Sequence, residues 1–207
     1  MVYNGIIFES APREDAVPVA PINSFHWEQE GYARPRSYAR LWAIKGQGIY
    51  ARLWSFEKQV LCRYTKRDEP MWCDSCLELF LAPVAGDGRY MNFEVNPNGA
   101  YLSQFGDKRE GRVFIKELTE ECPCITPFTL EEKGEQAWGY LIFIPESLVS
   151  ALYAVDYTAA EGPMRGNFYK CADESAALHY GAHFPVDSAA LGFHNPACFG
   201  TIMLNKE

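Results

Sequence analysis

Two glutamates, Glu78 and Glu94, are the residues of this 207-residue chain whose placement most directly suggests chemistry. The run Trp72-Cys73-Asp74-Ser75-Cys76-Leu77-Glu78-Leu79-Phe80-Leu81 alternates like a strand: Leu77, Leu79 and Leu81 fall on one face, Cys76, Glu78 and Phe80 on the other. In the run 90–96, Phe93 and Val95 share one face, and Asn92, Glu94 and Asn96 the other. Gly86-Asp87-Gly88 between them reads as a turn. Closing that turn with the apolar faces together pairs Leu79 with Phe93 and Leu77 with Val95. The same register sets Glu78 opposite Glu94, and Cys76 opposite Asn96.

Like charges directly opposite on a ladder repel, so the pair needs a reason. A solvated sheet face would supply one, as would neutralisation by an arginine such as Arg63. A polar site is a second reason, because carboxylates and amides bond hydroxyl groups well and Trp72 offers a flat face beside them. A third is a glycosidase acid/base pair, since cross-strand spacing approaches the ~5 Å of retaining enzymes. Nothing else in the chain marks a deep cleft for that third chemistry.

Cysteine and histidine suggest other chemistry less directly. Cys73-x-x-Cys76 with Cys122-x-Cys124 has the count of a four-thiolate zinc site. An offset of three along a strand points the first two thiols to opposite faces, so buried thiols are expected instead. His179, His183 and His194 gather late in the chain without a motif, and backbone partners are expected for them.

The elements that must carry these residues are mostly strands. Alternation of period two dominates from about residue 38. Strands are expected at 49–56, 59–65, 75–81, 90–96, 100–105, 138–144 and 199–204. A turn near Glu57-Lys58 joins the first two, and Asn96-Pro97-Asn98-Gly99 marks another. One helix is expected at 145–155, opening on Pro145, and a short turn at 119–121. Residues 1–37 read as an irregular lead-in packed on a single domain of 38–207, because three prolines fall within 11–21. Residues 172–195 read as a long loop. Short strands at this spacing predict an all-β, antiparallel β-sandwich, jelly-roll-like, with one or two short helices. Trp42, Trp54 and Trp138 are expected in its core.

A hydrophobic content of 48% supports a full core, and a net charge of −8 argues against nucleic acid or an anionic membrane as partner. No apolar run approaches the ~18 residues a membrane span needs. The first ten residues lack a basic export signal, and the seven cysteines are odd in number, so a cytoplasmic location is expected.

The motifs Trp72-x-Asp74-Ser75-x-Leu77-Glu78-Leu79-Phe80-Leu81 and Phe93-Glu94-Val95-Asn96 resemble those of family 9 carbohydrate-binding modules. Arg165-Gly166-Asn167-Phe168-Tyr169-Lys170-Cys171-Ala172-Asp173 and Phe199-Gly200-Thr201 extend the likeness from about residue 38 to the end. The resemblance implies a sandwich that holds the end of a glycan between aromatic rings, without catalysis. By position, Trp72 would be one ring, with Glu78, Asn96 and Asn167 bonding hydroxyls and Glu94 beside them. Glu94 stands where sugar-binding members are expected to carry arginine. No tryptophan lies near Asn167, which leaves Tyr169 or Tyr180 as the second ring. The resemblance also brings structural calcium, for which no compact acidic loop calls; no cofactor is predicted, and calcium stays open. The expected partner is a carbohydrate, bound alone or beside a partner enzyme. The alternative is a sandwich that has lost sugar binding and serves as an interaction or assembly domain.

Overall fold

The computed structural model describes all 207 residues. In chain order the strands are β1 (Val2–Phe8), β2 (Ala20–Ile22), β3 (Ser24–Phe25), β4 (Arg36–Ile44), β5 (Gly48–Phe56), β6 (Cys76–Ala82) and β7 (Tyr90–Val95). They continue with β8 (Tyr101–Gly106), β9 (Val113–Phe114), β10 (Cys124–Glu132) and β11 (Glu135–Pro145). After helix α1 (Glu146–Tyr153) come β12 (Gly162–Cys171), β13 (Tyr180–Ala182) and β14 (Gly200–Lys206).

The ladder runs β10-β11-β5-β4-β1-β14-β12-β6-β7-β8-β9 and curls on itself into a β-sandwich. One core cluster joins Leu41, Leu53 and Ile142 of β4, β5 and β11 to Leu79, Phe93 and Phe168 of β6, β7 and β12. Each such fully buried side chain contributes about 1.5–3 kcal/mol of burial free energy. Pairings are antiparallel except at β1, which runs parallel to both β14 and β4.

That placement corrects the N-terminal expectation. Residues 2–8 are a strand in the middle of the ladder and not part of an irregular lead-in. Tyr3 and Ile7 enter the main core. Gly5 is required there, because a Cβ would lie 2.6 Å from the Leu41 carbonyl oxygen. The proline-rich stretch that follows is irregular as far as β2.

The β6–β7 ladder has the register read from its alternation: Leu77↔Val95, Glu78↔Glu94 and Leu79↔Phe93. The ladder ends at Leu77↔Val95, so Cys76 does not pair with Asn96; Cys76 instead pairs with Cys171 on β12. Trp42 and Trp138 are buried as expected, while Trp54 is half-buried. Helix α1 opens after Pro145 and ends at Ala154, whose left-handed conformation (φ 55°) closes the last turn.

The strand expected at 59–65 does not form. Its alternation is real, but its backbone donors find side chains instead of a neighbouring strand. Asp74 Oδ2 accepts the N–H groups of Arg63 (2.7 Å) and Tyr64 (3.0 Å), and Ser75 Oγ accepts that of Leu61 (2.9 Å). The segment 57–75 is therefore a pinned loop, and it carries Trp72 over the polar face of β6. Strand β10, which the sequence reading did not single out, is an exposed edge beside β11.

Candidate functional site

The polar faces of β6 and β7 form the floor of a cleft of about 420 Å3, a size typical of small-ligand sites. Glu78 and Glu94 line it, with Trp72 and Asp68 from the 57–75 loop on one side. Arg109 and Phe114, beyond β8, line another side, and Asp173, Tyr180 and residues 191–194 close it.

The floor is not solvated: Glu78 and Glu94 are each 3% exposed. Nor does Arg63 neutralise it, since Arg63 pairs with Asp74 (3.1 Å) and Glu174 (2.8 Å). Glu78 Oε1 accepts from the Cys171 thiol at 3.0 Å, and Glu94 Oε1 from the Asn92 amide at 2.9 Å. Glu94 Oε2 is buried with no partner. Burial pushes Glu94 up to about 7, and burial with the facing Glu94 raises Glu78 well above the usual carboxylate range. Asp173 is pushed up to about 6, again by burial. His194 bonds the Tyr90 hydroxyl at 2.9 Å and stands 3.9 Å from Glu94. Burial, then Arg112 and Arg109, holds His194 down to about 3, so it is a neutral ring at pH 7.

Trp72 sits in a short 3-10 turn, Met71–Cys73, and is 41% exposed. A large indole left open beside buried carboxylates is an amphipathic surface: a ring face for C–H groups and acceptors for hydroxyls. Cys76, Glu78 and Cys171 place ligand atoms within 4.8 Å of one another. Two thiols and one carboxylate suit a thiophilic divalent ion better than calcium, which takes oxygen ligands. Cys122 and Cys124, by contrast, are exposed, and do not join Cys73 and Cys76 in a cluster.

Of the residues expected at the site, Trp72, Glu78 and Glu94 meet in the cleft, and three others do not. Asn96 is buried; its amide donates to Tyr64 O (2.8 Å) and Asp74 (3.1 Å), and its oxygen accepts from Asn98 and Ala100. Asn167 is buried too, bridging β12 to the Phe184 backbone through 2.8 and 2.9 Å bonds. Tyr169 lies behind Phe193, the two rings stacked at 4.1 Å, and so does not face the cleft. All three are polar residues spent on holding the fold. Tyr180, the other candidate for a second ring, does line the cleft.

The sequence reading assigned no site role to Asp68 and Arg109, which arrive from loops, to Phe114 of the two-residue strand β9, or to Asp173 at the end of the 165–173 motif. The one signal available was the length of the 172–195 loop. His179 and His183 bond the carbonyls of Ala177 (2.7 Å) and Pro21 (2.8 Å), as expected of loop histidines. A second depression, of about 640 Å3, lies near Arg36, Glu57 and Glu135. It holds none of the expected residues, and Arg36 and Glu135 pair with each other.

No helix is long and apolar enough to cross a membrane. The model of the family described as carbohydrate-binding family 9 matches residues 9–204. A search of curated proteins finds no match. Among solved structures, the chain resembles a protein from Bacteroides uniformis described as a candidate carbohydrate-binding protein. The TM-score is 0.76 at 25% identity, over 99% of this chain and 98% of the other. It also resembles a family 9 module from Caldicellulosiruptor kristjanssonii in complex with glucose, with TM-score 0.61 at 13% identity over 100% and 96% of the chains. A structure of a family 9 module from that organism with cellotriose gives TM-score 0.61 at 12% identity over 100% and 95%. At those identities the likeness of these last two is one of fold.

Proposed function

This chain belongs to carbohydrate-binding family 9, and from that premise we propose that the Trp72–Glu94 cleft binds a mono- or oligosaccharide without chemically changing it. The observation that carries the reading is the half-exposed Trp72 indole beside two buried carboxylates. A pyranose has the matching character, with apolar C–H patches on its ring faces and hydroxyl donors around its rim. Trp72 would take a ring face, while Glu78 and Glu94 accept from hydroxyls. Phe114 and Tyr180 supply further aromatic wall, in place of a second tryptophan at the cleft. Family 9 modules solved with glucose and with cellotriose support saccharide as the ligand class.

Calorimetric titration with a mono- and disaccharide panel tests this on wild type and on Trp72→Ala. A saccharide should bind wild type, and the truncation should weaken it at least about tenfold, or about 1.4 kcal/mol. Chromatography of the titrated sugar should recover it unaltered. If no saccharide binds at millimolar concentration, the fold serves another purpose and the interaction-domain reading takes over; released product would make the cleft an active site.

A further inference from the structure

We propose that the saccharide this cleft prefers is an amino sugar, a pyranose whose protonated amine lies against Glu78 and Glu94. The inference rests on the reading of the cleft as a saccharide site and narrows the ligand class.

The argument is one of missing donors. Glu78 and Glu94 face each other across the β6–β7 ladder, an arrangement that repels when both carboxylates are ionised and that a ligand cation would relieve. Arg112 and Arg109 lend charge to the site, but no nearby cation donates a hydrogen bond to either carboxylate. Lys170 is tied to Glu57 at 3.1 Å and His179 at 2.7 Å. Arg112 reaches Glu94 only through Asn92, whose oxygen accepts from it at 2.7 Å and whose amide bonds Glu94 at 2.9 Å. Arg109, the arginine lining the cleft, donates to the Leu191 carbonyl at 2.8 Å. His194 contributes no charge, as its imidazole is neutral. The wall adds Asp173, and Asp68 with its Lys116 partner at 2.7 Å.

Glu94 Oε2 is buried and accepts nothing, a deficiency that costs about 1–3 kcal/mol or more in a folded protein until a ligand meets it. A neutral sugar brings one donor per hydroxyl. An ammonium brings three donors and a charge, and bonds of that kind are about twice as strong as neutral ones.

Titration of the intact chain at pH 7, in buffer containing a chelator, with glucosamine, glucose and N-acetylglucosamine tests the proposal. The chelator keeps metal at Cys76, Glu78 and Cys171 from mimicking a cation effect. Glucosamine should bind at least about tenfold more tightly than glucose. N-acetylation, which removes the charge, should abolish the preference. Glu94→Gln should lower the glucosamine-to-glucose affinity ratio at least about threefold; the wild-type series stands whether or not that variant folds. Glucose binding as tightly as glucosamine would overturn the inference and leave the saccharide reading intact. No binding by any of the three sugars, nor by the wider panel, would overturn both.

Discussion

A carboxylate buried without a cation keeps its proton to higher pH, and Glu94 does so, with a folded value of about 7 against an ordinary 4.5. The folded state then binds more protons than the unfolded chain between those values, so the stability this group contributes is present below about 4.5 and lost as pH rises through 7. Glu94→Gln removes the titration. Its melting temperature relative to wild type, in the absence of sugar, should therefore rise between pH 5 and pH 8, by the equivalent of on the order of 2 kcal/mol. A difference that stays flat across that range would mean the carboxylate is not uncompensated. The pair was legible before the structure because alternation fixes register, and register fixes which side chains oppose. The burial of the pair was not legible. It depends on Trp72, Phe114 and residues 191–194, which reach over the face from distant parts of the chain. The same limit applies to Asn96, Asn167 and Tyr169, which do not line the cleft and bond within the protein: a motif places a polar residue on a face, but does not say whether its partners are a ligand or the backbone beside it.

Among the elements, the 57–75 loop decides where Trp72 stands. Its order comes from Asp74, a fully buried carboxylate that takes the N–H groups of Arg63 and Tyr64, the Arg63 side chain and the Asn96 amide. Removing it takes the shared acceptor from two part-buried backbone donors and from the buried Asn96 amide, the last at about 1–3 kcal/mol. Asp74→Ala should destabilise the protein by about 3 kcal/mol or more and speed amide exchange within residues 57–75 ahead of β6 and β7. Saccharide affinity should drop with it, because Trp72 loses its platform. Exchange that quickens uniformly over the chain would show the loop to be no separate unit. The alternation of 59–65 predicted a strand here, and period two alone cannot distinguish a residue paired to a strand from one paired to a carboxylate. By contrast, β6, β7, β8, β11 and β14 were found with errors of a few residues, since each buries a regular apolar row.

For the whole molecule the decisive element is the one the sequence reading discounted. Strand β1 joins the first large antiparallel group, through β4, to the second, through β14. A short run ending in Ile6-Ile7-Phe8 before a proline-rich stretch looks like a leader, because the parallel partners that make it a strand lie more than thirty residues away on one side and at the chain's far end on the other. Its attachment is more than backbone pairing. The Tyr3 hydroxyl donates to the Pro18 carbonyl at 2.7 Å and accepts the Leu41 N–H at 2.9 Å, and the Tyr3 ring packs edge-on to Phe168 of the opposite layer. A leader could be trimmed with little loss, whereas deleting β1 exposes the facing edges of β4 and β14 and opens the core between the layers. Deletion of residues 1–8 should abolish the cooperative thermal transition and the near-ultraviolet circular dichroism signal, leaving an aggregation-prone chain. A truncated protein that melts cooperatively within a few degrees of wild type would mean the sandwich closes without its N-terminal strand. The cleft, built from β6–β9, Cys171 of β12, Tyr180 of β13 and the loops over them, contains no residue of β1 and would then be expected to keep its sugar.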